Sequence, residues 1–260
     1  MHDVRLFNEI ILTHGSFLMQ HLSMQYLSAI ITWMFISSAS AFYADLREEL
    51  FHQTNSRHKT LGYDRARQIM FNQLYLQKDK EGYFVQDVYC GDKYYLYQNN
   101  EVPGTRLPDA VRMNTEHSWP QSQFNSKYSK TTQKSDLHHL YPTTSKINSE
   151  RGSHPFAEVR STRDLSCPFS QLGMPEQGAR ITSFEPPDSH KGNLARSMFY
   201  FSIRYKISLD PVEEFYFRVW NILDPVDKAE RERHEIIFSV QKNRNPFIDD
   251  PTLVDQIQDF

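Results

Sequence analysis

A helix-rich α+β fold, a single domain with a small β-sheet, is what this sequence predicts, on three observations. Helix start and stop signals fill the last third of the chain. Short alternating and aromatic runs around Gly91-Asp92 occupy the middle. No repeat, low-complexity tract or Gly/Ser linker divides the sequence. At 260 residues, 39% of them hydrophobic and 13% aromatic, the chain can bury a substantial core, and disorder is not expected.

The elements follow in order. YLSAIITWMFISSASA, residues 26 to 41, is apolar and uncharged and closes on Ala39-Ser40-Ala41. This is the layout of a secretory signal with its cleavage site, although the preceding segment lacks the usual excess of positive charge. The tract is shorter than the roughly 20 apolar residues of a spanning helix, so no lasting membrane association is expected once it is removed. The expected division is residues 1–41 as signal and 42–260 as the folded domain.

Asp45 to Gln53 and Asp64 to Gln77 read as helices; in the second, Ala66, Ile69, Met70 and Leu74 recur on one face. Tyr83 to Tyr89 and Tyr94 to Tyr97 read as short strands whose aromatics are core. Further on, Leu194, Met198, Phe201 and Tyr205 form another apolar stripe. Asp210-Pro211 and Asp224-Pro225 each put an N-cap residue before a proline suited to the first helical position, and Asn245-Pro246 is expected to stop the second of those helices.

Charge is unevenly spread. The net value is -3, but residues 112 to 163 hold eight Lys or Arg against four acids, and residues from 207 onward hold six against twelve. Variation of this kind suits either a polyanion-facing centre or ordinary solvated faces. The only cysteines are Cys90 and Cys167. Two thiols cannot form a zinc knuckle alone, but in an oxidising compartment they could bridge, a link the loop-entropy relation values at roughly 4 kcal/mol.

The chemistry gathers in the centre. In NTEHSWPQSQF, residues 114 to 124, Glu116 adjoins His117: a carboxylate that can bind a hard cation beside a side chain that takes a proton near neutral pH. On an ordinary strand the two would face opposite ways, but Pro120 marks the strand's end, where bending lets both serve one cleft. In KSDLHHLYPTTSKINSERG, residues 134 to 152, a strand-like LHHLYP is expected to end at Pro142. Thr143 or Thr144 would then cap a short helix that stops at Gly152. Asn148 is a mediocre helix former, and Arg151 shares its face. Ligand and phosphate contact, or simple exposure on a poor helix, both suit that spacing.

EHSWPQSQF followed by SDLHHLYPTTSKINSERGSHPF resembles the endonuclease I family of exported bacterial nucleases. The likeness continues through VYCGDKYY at 88 to 95, FEPPDSHKGNLARSMFYFSIRY at 184 to 205, WNILDPVDKAERER at 220 to 233 and QKNRNPFID at 241 to 249. It implies an embedded ββα-metal, or His-Me, finger. His117 then matches the general base, and Glu116 and Asn148 match the protein ligands of one Mg²⁺, for which Mn²⁺ or Ca²⁺ can substitute. Arg151 matches a basic position that could meet a substrate phosphate. The family's loop arginine has no counterpart here; Lys127, Lys130 and Lys134 are the candidates for that contact, as point charges rather than forks. His138 and His139 suggest zinc, but neighbouring strand residues diverge and the family pattern places the ligands elsewhere.

The resemblance implies a periplasmic or secreted, largely sequence-nonspecific endonuclease acting on DNA, and on RNA if the 2′ position is not probed. Two other classes stand beside it: a catalytically silent DNA-binding protein of the same fold, and a zinc hydrolase of another substrate.

Overall fold

A computed structural model describes residues 46–98, 101–163, 165, 167–178 and 181–260. The tract expected to direct export lies outside them. The chain divides between Leu46 and Arg47, and the described fold from Arg47 onward is the second unit. No helix among the described residues is long and apolar enough to cross a membrane.

Helices enclose three small antiparallel sheets. After α1 (46–55) come α2 (Tyr63–Ile69) and a π-helical turn, Met70–Leu74. The long helix expected to Gln77 therefore ends early. Tyr75 N bonds Met70 O at 3.1 Å, closing the wider turn, and Leu76 begins a strand. The first sheet is β1 (Leu76–Asp79), β2 (Gly82–Gln86) and β3 (Lys93–Gln98), in that order. The second pairs β4 (Met113–His117) with β5 (Leu140–Thr144), and the five-residue helix α3 (Lys130–Lys134) lies in the loop between them. Helix α4 (Ser145–Arg151) follows β5 directly and stops at Gly152, whose φ of 55° is the left-handed conformation expected there. The third sheet is β6 (Val159–Arg163), β7 (Gln171–Pro175) and β8 (Ser183–Glu185).

Long helices complete the fold: α5 (Asp188–Tyr205), α6 (Pro211–Leu223), α7 (Lys228–Gln241) and the short α8 (Pro246–Asp249). Asp210 caps α6 as the sequence predicts, accepting from Val212 N and Glu213 N. Asp224-Pro225 starts no helix. The Asp224 carboxylate instead accepts from Gly192 N at 2.8 Å, and its carbonyl accepts from Arg196 Nη1 at 2.9 Å, so the cap passes to Asp227. Asn245-Pro246 opens α8 rather than stopping α7, which has already ended at Lys242 with a φ of 66°.

Two further departures concern the centre. LHH, expected as strand, is a single 3₁₀ turn, Leu137–His139, capped by Asp136. Pro142 does not end β5 but lies within it, opposite Thr115. A strand with only one partner tolerates the missing N–H, and the Pro142 carbonyl accepts from Val88 N at 3.1 Å.

The apolar core beneath the second sheet joins Ile69, Phe71, Val85, Met113, Leu140 and Ile237. A second, aromatic cluster sets Phe199 against Phe217, Phe247 and Phe260. Between the helices Arg196, fully buried, forms a two-pronged pair with Glu230 at 2.8 and 2.6 Å. Asp136, also fully buried, accepts from Tyr200 and Tyr205 hydroxyls at 2.8 Å each and from Gln241 Nε2 at 2.8 Å. Burial opposes its charge, yet His58, His138, His139 and Arg204 around it hold the carboxyl well below the usual range.

Several histidines are buried as neutral rings. Burial is the main cause that lowers His117 to about 3, His139 to about 4 and His190 to about 3. In the unfolded chain these rings take a proton near the ordinary value of about 6.5, so stability is lost as pH falls below that value. Each should cost about 2 kcal/mol at pH 5. Urea denaturation between pH 7 and pH 5 should show a steadily falling midpoint; a flat profile would contradict neutral burial.

Candidate active site

Glu116, His117, Asn148 and Arg151 line one cleft of about 320 Å³, with Tyr63 on one wall and Gln121 at the side. Local structure explains the convergence. β4 ends at His117, and register places Glu116 opposite Tyr141 and His117 opposite Leu140. The return strand runs straight into α4, so Asn148, one turn into that helix, comes back over the end of β4. Asn148 Nδ2 donates to Thr115 O at 3.4 Å, a direct link between the helix and the strand.

His117 is almost wholly buried, with its Nε2 3.2 Å from Lys134 O. A carbonyl can only accept, so Nε2 carries the hydrogen and Nδ1 keeps the lone pair. Gln121 Nε2 stands 3.3 Å from that Nδ1. Burial first, and the neighbouring His139 second, push the imidazole down to about 3, so it is neutral at physiological pH. Its ring lies 5.6 Å from that of Tyr63 and 5.4 Å from that of His139.

Glu116 is 2% exposed. Tyr89 OH donates to its Oε1 at 2.9 Å, and Arg151 Nε lies 3.3 Å from the same oxygen. Burial raises the carboxyl above its ordinary value, against the opposing pull of the Arg151 charge and the Tyr89 hydroxyl. Both side-chain contacts fall on Oε1 and none falls on Oε2, so Oε2 is the oxygen a cation would take. Asn148 uses its amide nitrogen on Thr115, which leaves its amide oxygen as acceptor. The cleft thus offers two hard oxygen donors. Among the described residues no three His, Cys, Asp or Glu side chains gather as a metal-holding group, so a cation here would draw on the amide and on water as well as the carboxylate.

The Arg151 guanidinium, offered above to a phosphate, is buried and held by protein groups: it donates to Ser118 O at 2.9 Å and Gly152 O at 3.0 Å and lies 4.3 Å over the Phe156 ring. Of the three lysines, Lys134 alone reaches a residue of the cleft, its Nζ 4.1 Å over the Tyr63 ring. Lys127 and Lys130 are exposed and do not line the cleft. His138 and His139 look different ways: His138 meets the Asn243 carbonyl and the His234 ring, while His139 meets the Gln133 carbonyl and the Phe201 ring. Cys90 and Cys167 are joined, with Cα atoms 5.1 Å apart.

Sequence reasoning passed over Tyr89, Tyr63 and Gln121. Tyr89 stood inside a stretch read as core, and only the alternation of aromatics with Asp87 hinted at a polar task. Tyr63 and Gln121 carry no such signal; their place in the cleft is a product of tertiary structure.

Comparison with known proteins adds a separate line of support. The family described as Endonuclease I matches residues 42–252. An extracellular ribonuclease of Bacillus subtilis (strain 168) is 35% identical over 162 residues, covering 55% of this chain and 53% of that protein. Endonuclease-1 of Buchnera aphidicola subsp. Acyrthosiphon pisum is 32% identical over 114 residues, 44% of each chain. An extracellular deoxyribonuclease of Aeromonas hydrophila is 26% identical over 166 residues, 57% of this chain and 70% of that protein. This chain spans about half the length of the first two of these curated relatives. With the match extending from residue 42 to residue 252, over the whole of the strand–strand–helix centre and the helices behind it, the chain belongs to the Endonuclease I family.

Proposed function

We propose that this chain is a largely sequence-nonspecific endonuclease hydrolysing phosphodiester bonds of DNA and RNA, with His117 as general base and Glu116 and Asn148 as the protein ligands of one Mg²⁺. The observation that carries this reading is the presence of all three side chains in one polar cleft of an Endonuclease I family member. Relatives named for extracellular ribonuclease and deoxyribonuclease activity support both substrates and, with the N-terminal tract, export from the cell.

The donor set suits Mg²⁺, a hard ion that takes oxygen ligands and keeps much of its water. When bound, the cation supplies positive charge against the negative charge that grows on the phosphate. The chain's own residues do the rest. Lys134 O fixes the His117 tautomer, so Nδ1 is the nitrogen that takes a proton from a water directed at phosphorus. Burial keeps that nitrogen unprotonated beforehand. An arriving phosphate brings negative charge that favours the imidazolium as it forms, offsetting the low basicity that burial imposes. Lys134, braced on Tyr63, is the cation best placed to hold the substrate backbone. Sugar and phosphate are the same at every base, which is why little sequence preference is expected.

Three outcomes test this. Purified protein should cut supercoiled plasmid and RNA with Mg²⁺ and fail to do so in excess EDTA, and His117→Ala should lose at least roughly a hundredfold in rate while staying folded; near-normal turnover by the variant would remove His117 from the mechanism. Glu116→Gln and Asn148→Ala should each shift half-saturating Mg²⁺ upward by about tenfold or more, and an unchanged metal titration would remove both assignments. Lys134→Ala should raise KM with little change in kcat and flatten the dependence of log KM on log salt by about one phosphate's worth. Equal effects from Lys127→Ala and Lys130→Ala would deny Lys134 its special place.

A further inference from the structure

We infer that Tyr89 and Arg151 are positioning residues for Glu116: they hold one carboxylate oxygen between them so that the other is presented to a divalent cation. The inference rests on the reading of Glu116 as a cation ligand and adds two residues to it.

A glutamate has three rotatable side-chain bonds, and a ligand that must meet a cation in a fixed geometry gains from having the last of them locked. Here that lock is a pair of contacts from two sides, Tyr89 OH at 2.9 Å and Arg151 Nε at 3.3 Å, both on Oε1. Each partner is in turn anchored. Asp87 Oδ1 accepts from Tyr89 N at 2.6 Å and Cys90 N at 2.9 Å, while its Oδ2 accepts from Thr143 Oγ1 at 3.2 Å and from Thr144 N. Tyr89 is thereby tied to the junction of β5 and α4, the same junction that delivers Asn148. Its ring packs edge-on against Phe184 at 4.9 Å, and the next residue is joined to Cys167. Arg151 sits on α4, three residues after Asn148, and grips Ser118 O, the residue after His117. One clamp therefore indexes Glu116 to the elements that carry the other two side chains of the site.

The test is Mn²⁺ binding without substrate, read by electron paramagnetic resonance on the full chain. Tyr89→Phe removes only the hydroxyl and keeps the packed ring. It should weaken Mn²⁺ binding by about tenfold, Glu116→Gln should weaken it by at least as much, and the double variant should bind no worse than Glu116→Gln alone. Wild-type affinity in Glu116→Gln would overturn the cation-ligand reading itself. Weakened binding in Glu116→Gln with wild-type affinity in folded Tyr89→Phe would leave that reading in place and overturn the clamp. If circular dichroism shows Tyr89→Phe unfolded, Arg151→Lys examines the other arm. It keeps the charge but removes the Nε that meets Glu116, and should weaken Mn²⁺ binding about tenfold in protein that circular dichroism shows folded; unaltered binding there would overturn the clamp as well.

Discussion

The buried carboxylate of Asp136 is the interaction on which the rest depends. It stands at the start of the turn that leads into β5 and caps that turn, while two tyrosines of α5 and a glutamine of α7 donate to it. A charge removed from water is costly unless its lone pairs are met. Four side-chain and backbone donors meet them here, which ties the central motif to the helical scaffold through the one group that would be most expensive to leave alone. Two residues upstream, the Lys134 carbonyl holds His117. The scaffold thus reaches the imidazole through the main chain of the 134–136 segment.

Burial acts with opposite sign on the two central side chains. The same dry surroundings favour neutral His117, the form that can accept a proton, and oppose ionised Glu116, the form that can hold a cation. The imidazole needs no help. The carboxylate does, and a guanidinium and a phenol stand beside it. A site that asks for a neutral base and an ionised ligand in adjacent positions is therefore built asymmetrically, with cationic and hydroxyl partners gathered on the glutamate side.

Much of this was legible in the sequence where short-range chemistry decides. The N-cap at Asp210, the strands flanking Gly91-Asp92 and the stop at Gly152 follow from local residue preferences. The helix after Thr144, by contrast, starts without the threonine side-chain cap expected there, the Thr143 hydroxyl going to Asp87. The pairing of EHSWP with SDLHHLYP carried the family. What could not be read is what tertiary contact overrides. Asp224-Pro225 has the chemistry of a helix start, but its carboxylate was claimed by Gly192, 32 positions earlier in the chain. Pro142 looked like a strand end because sequence alone does not tell that β5 has a free edge. The burial of Arg151 was hidden because it depends on Ser118 and Phe156, which spacing cannot place beside it. Tyr89 was lost among aromatics whose usual task is filling space.

The contact at Gly192 fixes more than a loop. A methyl group there would stand 2.9 Å from Arg196 Nη2 and overlap the Asp224 carbonyl oxygen. One turn later Arg196 grips Glu230 with both prongs. A bare position and a two-pronged one, four residues apart, act as notch and pawl. Sliding α5 by a single residue would drive a side chain into the Asp224 carbonyl and strand a guanidinium in the interior. The axial setting of this helix is thereby locked at its outer end, and with it the height at which the Tyr200 and Tyr205 hydroxyls arrive at the centre of the molecule.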